Sequence, residues 1–205
     1  MKRAFLILVL LSSIVLNAQT IYTPLKEFVF FVKYQSETEY DSCYISMWAT
    51  ENIWEFDSKQ QEFVYAYHSV SDSLVEKWPY QTSEATGIIE NQKTIWMHPP
   101  RSEKLSILEY FPFPEIEFPV KCGKKYNRSF VGSIDFLEQF GVIRYKMRIN
   151  CDGDNTIVSG HAKNRFGNWT VQYTFNNQNG FTNMMFGFNN IQITFDLVDV
   201  IEHLK

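Results

Sequence analysis

The stretch KTIWMHPPRSEK (Lys93–Lys104) concentrates side chains that can do chemistry in a chain that otherwise has few of them. Trp96, His98 and Arg101 supply an aromatic ring, an imidazole and a guanidinium within six residues. The two prolines that follow His98 force extended geometry and stop strand pairing, so these side chains are predicted to lie at the end of a strand. An arginine there can stack on an aromatic ring or hold a carboxylate with its planar fork.

Three interpretations of this stretch stay open. In the first, Arg101 is a structural clasp that pins a proline-rich strap, residues 111–120, onto the sheet. Arg101 would then stack on aromatic rings, with Trp96 as the apolar floor, and pair with a carboxylate or carbonyl of the strap, while His98 faces water. In the second, Trp96, His98 and Arg101 form a ligand-binding lip. In the third, His98 takes part in catalysis. We favour the clasp.

The rest of the sequence offers little support for catalysis or for a metal. The four histidines are isolated, and none has metal-ligand spacing to another histidine or to a cysteine. The turn DGDN (Asp152–Asn155) has the carboxylate spacing of a calcium loop but lacks the later glutamate that completes one. GxSxG, HExxH and phosphate-binding glycine loops are absent from the sequence. We therefore predict a non-enzymatic protein without catalytic residues, metal or cofactor.

A run of basic residues alternates with apolar ones in GVIRYKMRINC. Arg144, Lys146 and Arg148 would share one side of a strand, because successive side chains of a strand point to opposite sides. Two interpretations of this ladder stay open: it binds an anionic glycan, or it is the solvated side of a sheet.

Three cysteines allow three disulfide pairings, each with one thiol left over. Cys122 and Cys151 lie at the ends of predicted elements, where the Cα approach of about 5.5 Å that a disulfide needs is easier to reach. Cys43 lies in the middle of a predicted strand, which favours a buried apolar role. A Cys122–Cys151 bridge and the absence of any bridge both stay open.

Residues 1–18 are typical of a secretory signal peptide. Lys2 and Arg3 precede a short apolar run and then small residues, and we expect cleavage after Ala18. The apolar run, about 12 residues long, is too short to cross a bilayer as a helix. We therefore expect export to the periplasm or the exterior, with no transmembrane segment in the mature chain. The net charge of −4 and pI of about 5.6 exclude a global basic field that recruits nucleic acid.

Composition and periodicity predict an all-β fold. Aromatic residues make up 17% of the chain, and they fit the pleated surface of a sheet. Alternating segments at 141–151, 167–177 and 191–200 predict strands, and the short loops between successive strands force antiparallel neighbours. The segment at 27–34 is apolar on both sides and predicts a central or covered strand.

The resulting fold class is mainly an antiparallel meander in a curved sheet, a half-barrel or a sandwich. One or two short helices are predicted, at 71–78 and 134–140. Residues 19–205 are expected to form a single β-rich domain, with any subdivision near 111–120.

Three stretches carry a resemblance to a known group: GIIENQKTIWMHPPR (87–101), FPFPEIEFPVKCGKKY (111–126) and YTFNNQNGFTNMMFGFNNIQITFDLVDV (173–200). The W-x-H-P-P-R element, the proline strap that leads to a G-K-K turn and the final N-G-F hairpin resemble a group of uncharacterised exported β-rich proteins of Bacteroidetes. The chain is also similar to periplasmic half-barrel proteins. That similarity implies a curved antiparallel sheet that can hold an apolar ligand.

Three functional hypotheses follow. The first is a binding or carrier protein for an apolar or glycan-like ligand in the cell envelope. The second is a structural or accessory envelope protein that binds another protein, and the third is an unrecognised enzyme. A carrier predicts a lined cavity of about 300 Å³ or more, whereas an accessory protein predicts a filled core and an exposed apolar patch. The missing catalytic motifs favour the first two.

Overall fold

The computed structural model describes residues 20–69, 83–130 and 141–203. The predicted signal peptide and the two helices predicted at 71–78 and 134–140 lie outside the described residues. Within the described part of the chain, no helix has the length and apolar character that a membrane span requires.

The described residues form twelve strands and one short 3₁₀ helix, which confirms the all-β prediction. The N-terminal half contains β1 (Lys26–Gln35), β2 (Tyr40–Ile53), β3 (Gln61–Ser69), β4 (Ser83–Glu90), β5 (Thr94–Met97) and β6 (Glu115–Glu117). The C-terminal half contains β7 (Lys125–Phe130), β8 (Ile143–Asp152), β9 (Asn155–Asn164), β10 (Gly167–Asn176), β11 (Gly180–Phe188) and β12 (Ile191–Glu202). The 3₁₀ helix spans Glu103–Tyr110, where the sequence predicted no helix.

All twelve strands belong to one sheet, and every pair of neighbours is antiparallel. The order across the sheet is β6-β5-β4-β3-β2-β1-β12-β11-β10-β9-β8-β7. Two meanders therefore spread in opposite directions from the central pair, β1 and β12. The position of β1 confirms the prediction that the strand with apolar residues on both sides is central.

The two outermost strands are joined directly along the chain. β6 ends at Glu117 and β7 begins at Lys125, so residues 118–124 connect opposite edges of the sheet. An extended chain across that gap reaches at most about 28 Å. Twelve strands laid flat, with ~4.8 Å between neighbours, would separate the edges by about 53 Å. The sheet must therefore curl until its edges approach each other, with one concave side and one outward side.

Ion pairs connect the two edges, although no ladder joins β6 to β7 among the described strands. Arg128 lies 2.6 Å from Glu115, and Lys124 lies 2.9 Å from Glu117. Glu115 is on the outward side of the sheet together with Trp96, its partner position on β5. Arg128 and Lys124 are on the concave side of β7. The concave side of β7 therefore overlaps the outward side of β6.

The concave side carries the hydrophobic core. Along β8 and β10, buried side chains alternate with more exposed ones, as expected for a strand with one wet side. The largest side chains with less than 2% exposure are all aromatic: Trp169, Tyr22, Tyr65, Tyr145, Tyr173, Phe28, Phe30, Phe63, Phe111, Phe175 and Phe181. Burying one such ring stabilises the fold by about 1.5–3 kcal/mol.

The 3₁₀ helix and the residues that follow it lie inside the curl. Leu105 and Leu108 of the helix have no exposed surface. The ring of Phe111 lies 5.3 Å from that of Trp169 and 5.4 Å from that of Phe186. The space that a curled sheet encloses is thus occupied by the chain's own side chains.

The N-terminal segment fills another part of the core. The backbone N–H groups of Ile21 and Tyr22 donate to the carboxylate of Glu90, at 2.6 and 2.9 Å, and burial raises the pKa of that carboxyl. The Tyr22 hydroxyl accepts a hydrogen bond from the N–H of Phe181 at 2.8 Å. Gly180 has a φ of +71°, and a Cβ there would stand 2.3 Å from the Tyr22 oxygen. Glycine is therefore required at this turn.

The proline-rich strap, residues 111–120, has two parts. Its first residues run inside the curl, and the rest includes the edge strand β6, where prolines beside a short strand are tolerated. The hydroxyl of Tyr173 donates to the Pro112 carbonyl, and the hydroxyl of Tyr145 donates to the Tyr110 carbonyl at 3.5 Å. Tyrosines of the sheet therefore hold this segment in place.

Replacing Tyr173 by Phe keeps the ring and removes the hydroxyl that satisfies the buried Pro112 carbonyl. We expect the free energy of unfolding to fall by about 1–3 kcal/mol, because a buried acceptor loses its partner. Urea unfolding of variant and parent measures the change. Tyr40→Phe, at a position with 63% exposure, is the matched control and should change stability by less than about 0.5 kcal/mol. Equal stability of the two variants would contradict the role of the hydroxyl.

Candidate functional site

Trp96, His98 and Arg101 lie at the end of β5 in three different surroundings. Trp96 is partly buried on the outward side of the strand. Its ring lies 5.4 Å from that of Phe113 and 5.9 Å from that of His98. Trp96 therefore packs against the proline-rich strap through Phe113.

His98 is buried, so the expectation that it faces water is wrong. Only 9% of the residue is exposed. Its ring lies 4.3 Å from that of Phe113 and 6.0 Å from that of Trp54, and its Nδ1 lies 3.1 Å from the Pro99 carbonyl oxygen. Burial lowers the pKa of His98 to about 4. The imidazole is therefore neutral at pH 7 and serves as part of an aromatic cluster.

Gly87 explains how Trp54 reaches this cluster from a distant loop. A Cβ at Gly87 would stand 2.7 Å from the Trp54 ring and 1.9 Å from the side-chain oxygen of Gln60. The missing side chain leaves room for both residues on the outward side of β4. The sequence did not predict this contact, since 33 residues separate Trp54 from Gly87 and neither lies in a recognisable motif.

Arg101 forms an ion pair, but not the one expected. Its guanidinium lies 3.2 Å from the carboxylate of Glu109, and both side chains are about one-third exposed or more. Glu109 belongs to the 3₁₀ helix and not to the strap. The expected stacking on aromatic rings is absent among the described residues. The side chain of Arg101 is therefore a poor candidate for the clasp.

Glu84 on β4, and not the side chain of Arg101, holds the chain where it leaves β5. Its carboxylate accepts hydrogen bonds from the hydroxyl of Tyr67 at 2.7 Å, the backbone N–H of Arg101 at 2.7 Å and the hydroxyl of Ser102 at 2.5 Å. Glu84 thus ties β3 and β4 to the start of the segment that enters the curl. The sequence offered no signal for it, because a single glutamate in a strand is ordinarily a solvated side chain.

We expect Glu84→Ala to cost about 2–3 kcal/mol of unfolding free energy, because three donors lose their acceptor. Arg101→Ala should cost less than about 1 kcal/mol, because a half-exposed ion pair contributes little. Urea melts of the two variants measure both values. A larger loss for Arg101→Ala than for Glu84→Ala would restore the arginine as the clasp.

His98 also predicts a dependence of stability on pH. Its pKa rises from about 4 in the folded chain to about 6.5 on unfolding, so protons bind more tightly to the unfolded state. The contribution of the buried, neutral His98 to the unfolding free energy is complete above pH 6.5. It decreases as the pH falls to 4, by about 3 kcal/mol in total. We expect His98→Gln to flatten the fall in unfolding free energy between pH 7 and pH 4. His161→Gln, at an exposed position, is the control. An unchanged pH profile in the His98 variant would contradict the burial argument.

A second candidate surface lies on the outward side of β7, β8 and β9. We call it the basic face, and it consists of six exposed residues: Lys125, Arg144, Lys146, Arg148, His161 and Lys163. The sequence predicted the three on β8 as a ladder. The sheet register adds one from β7 and two from β9.

Charges of the same sign oppose each other on the basic face. Lys125 lies directly opposite Arg148. Within the described residues, the cations of this face form no ion pairs. The ion pairs of the described residues involve cations at other positions. Like charges in directly opposite positions destabilise a sheet. An anion bound between them would relieve this repulsion.

Acidic residues are nearly absent from these outward positions. On β7, β8 and β9, the outward carboxylate among the described residues is Asp152. Asp152 lies at the far end of β8, four residues or about 13 Å from Arg148. The basic face is therefore a local positive surface on a chain whose net charge is −4.

A groove of about 470 Å³ lies on the basic face, lined by Lys125, Tyr126, Asn127, Lys146, Met147, Arg148, Ser159 and His161. The amide of Asn127 and the hydroxyl of Ser159 lie among the cations. Such a surface can bind anionic groups through its cations and neutral hydroxyl groups through its amide and hydroxyl. The described residues contain no group of three or more His, Cys, Asp or Glu side chains that could hold a metal.

Two of the three cysteines lie beside the basic face, and the third lies in the core. Cys122 and Cys151, 29 positions apart in the sequence, are joined by a disulfide with 5.5 Å between their Cα atoms. Cys43 is a buried free thiol, and burial raises the pKa of this thiol to about 12. The disulfide connects the start of β7 to the end of β8, the two strands that carry most of the basic face.

A scan against protein-family models finds no match for this chain, and a search of the curated proteins finds no similar sequence.

Proposed function

We propose that this protein is exported to the cell envelope, where it binds an anionic glycan on the basic face without catalysing a reaction. The observation that supports the proposal is the ladder of cations on three adjacent strands, which form no ion pairs among the described residues. Their mutual repulsion lowers the stability of the free protein, and a bound polyanion would remove that cost.

The spacing of the cations suits a polymer. Side chains two residues apart on a strand are about 6.6 Å apart, and neighbouring strands are about 4.8 Å apart. Arg144, Lys146 and Arg148 therefore form a row about 13 Å long, flanked on both sides by further basic residues. Such a grid can bind the successive carboxylate or sulfate groups of a polysaccharide.

The composition of the face favours a glycan over nucleic acid or lipid. The face offers no series of rings on which bases could stack: the outward positions of β7, β8 and β9 hold none, and Tyr126 is the one aromatic residue among those that line the groove. Ile157, near the β8–β9 turn, is the one apolar side chain among them, which is too little to insert into a membrane. Amide and hydroxyl groups, among them Asn127 and Ser159, suit the hydroxyl groups of a sugar.

The predicted binding of an apolar ligand on the concave side of the sheet is not part of this proposal. The 3₁₀ helix and Phe111 occupy the concave side, which is why we place the ligand on the outward side.

A second candidate is an accessory protein that binds another envelope protein. The observation that favours it is the connection between β2 and β3, where Phe56 is 76% exposed and Ile53 is 67% exposed. Exposed apolar side chains of this kind are typical of protein contacts when they form a patch.

The test uses dextran sulfate and dextran, which share a backbone and differ in charge. We expect the protein to bind dextran sulfate and not dextran, and to bind less tightly as salt screens the charges. Replacing Arg144, Lys146 and Arg148 together by Gln should weaken binding about tenfold or more, because three charge-assisted contacts are lost. Isothermal titration calorimetry measures each affinity.

The matched control replaces three exposed lysines elsewhere, Lys59, Lys93 and Lys121, by Gln. Both triple variants carry the same net charge, so the control should bind dextran sulfate like the parent. An equal loss in both variants would indicate a response to net charge alone and contradict a defined face. Tighter binding of single-stranded DNA than of dextran sulfate would contradict the choice of a glycan.

A further inference from the structure

Two hairpin turns lie side by side at one end of the strands of the C-terminal meander. The β8–β9 turn (152–155) and the β10–β11 turn (176–180) lie together because β9 pairs with β10, with Asn155 directly opposite Asn176. An open groove of about 740 Å³ lies between these turns and the chain that leaves β6. This volume is within the range of about 300–1,000 Å³ typical of small-molecule sites. The groove shares no lining residue with the basic face.

The groove is lined mainly by amide, hydroxyl and carboxylate side chains: Asp154, Asn155, Thr156, Asn176, Asn177 and Gln178. Phe118 and Val120 supply its apolar part. The ring of Phe118 packs against that of Phe175, with 6.0 Å between the ring centroids. An amide both donates and accepts hydrogen bonds, as the hydroxyl groups of a sugar also do. A ring such as that of Phe118 can pack against the C–H face of a pyranose.

The shape of the groove is fixed before any ligand arrives. The Oδ1 atom of Asn176 accepts hydrogen bonds from the backbone N–H groups of Gln178 at 3.1 Å and Asn179 at 2.7 Å, which holds the second turn. Cys151 lines the groove and is tied to Cys122 by the disulfide. A preformed site loses less conformational freedom when a ligand binds.

We propose that this groove binds a neutral saccharide and is a second site, distinct from the basic face. An anionic ligand is disfavoured because no lysine or arginine is among the described residues that line the groove, and Asp154 contributes a negative charge. A purely apolar ligand is disfavoured because six of the ten lining residues carry polar side chains other than sulfur. Asn177 and Gln178 are exposed and occupy the turn, so they are the donors most accessible to a sugar.

The test is saturation-transfer NMR on the purified protein with three trisaccharides. Cellotriose and chitotriose are neutral and differ in their acetamido groups, and trigalacturonate is a carboxylated relative. We expect saturation transfer to at least one neutral trisaccharide, without competition by trigalacturonate. In the double variant Asn177→Ala, Gln178→Ala, binding should weaken at least fivefold, since each lost hydrogen bond costs roughly that factor.

The two proposed sites are separated by reciprocal controls. The basic-face triple variant should keep its affinity for the neutral trisaccharide, and the groove double variant should keep its affinity for dextran sulfate. The groove proposal is overturned if neither neutral trisaccharide receives saturation or if trigalacturonate displaces a bound neutral trisaccharide. It is also overturned if the double variant binds the neutral trisaccharide as tightly as the parent does. None of these results bears on the affinity for dextran sulfate, so the two proposals fail independently.

Discussion

Residues 118–124 join the outermost strands of a twelve-stranded sheet, and a connection of that length allows only a curled sheet. Curling brings the cations Lys124 and Arg128 of one edge against the carboxylates of the other. It also creates an enclosed concave side, which must be filled if apolar surface is to leave water. The 3₁₀ helix and the N-terminal segment around Tyr22 meet this requirement.

The chain fills that space with its own segments. The 3₁₀ helix enters after β5, held at its start by the carboxylate of Glu84, and Tyr22 inserts from the N-terminal side. Backbone N–H groups of both segments donate to partly buried carboxylates of the sheet, Glu84 and Glu90, because a backbone polar group that leaves water needs a partner. Since the interior is occupied by these segments, the outward side offers the room for ligands.

The outward side is not uniform. Near the overlap of the two edges it carries the aromatic cluster around His98, which is buried and neutral at pH 7. On β7, β8 and β9 it carries cations that form no ion pair with any described residue, and beyond the ends of these strands lies a polar groove to which the described part of the chain contributes no cation. These two adjacent surfaces differ in charge and in side-chain chemistry. We propose that the basic face binds anionic groups and the groove neutral sugar rings.

The sequence by itself determined the β content, the antiparallel C-terminal meander and the side of β8 on which Arg144, Lys146 and Arg148 lie. These features depend on local alternation, which a single strand already contains. Only the tertiary structure decided that Lys125 and His161 join that ladder, that Glu84 holds the backbone at Arg101, and that His98 is buried. Each of these depends on strand register or on the curl of the sheet, which bring together residues that no local pattern connects.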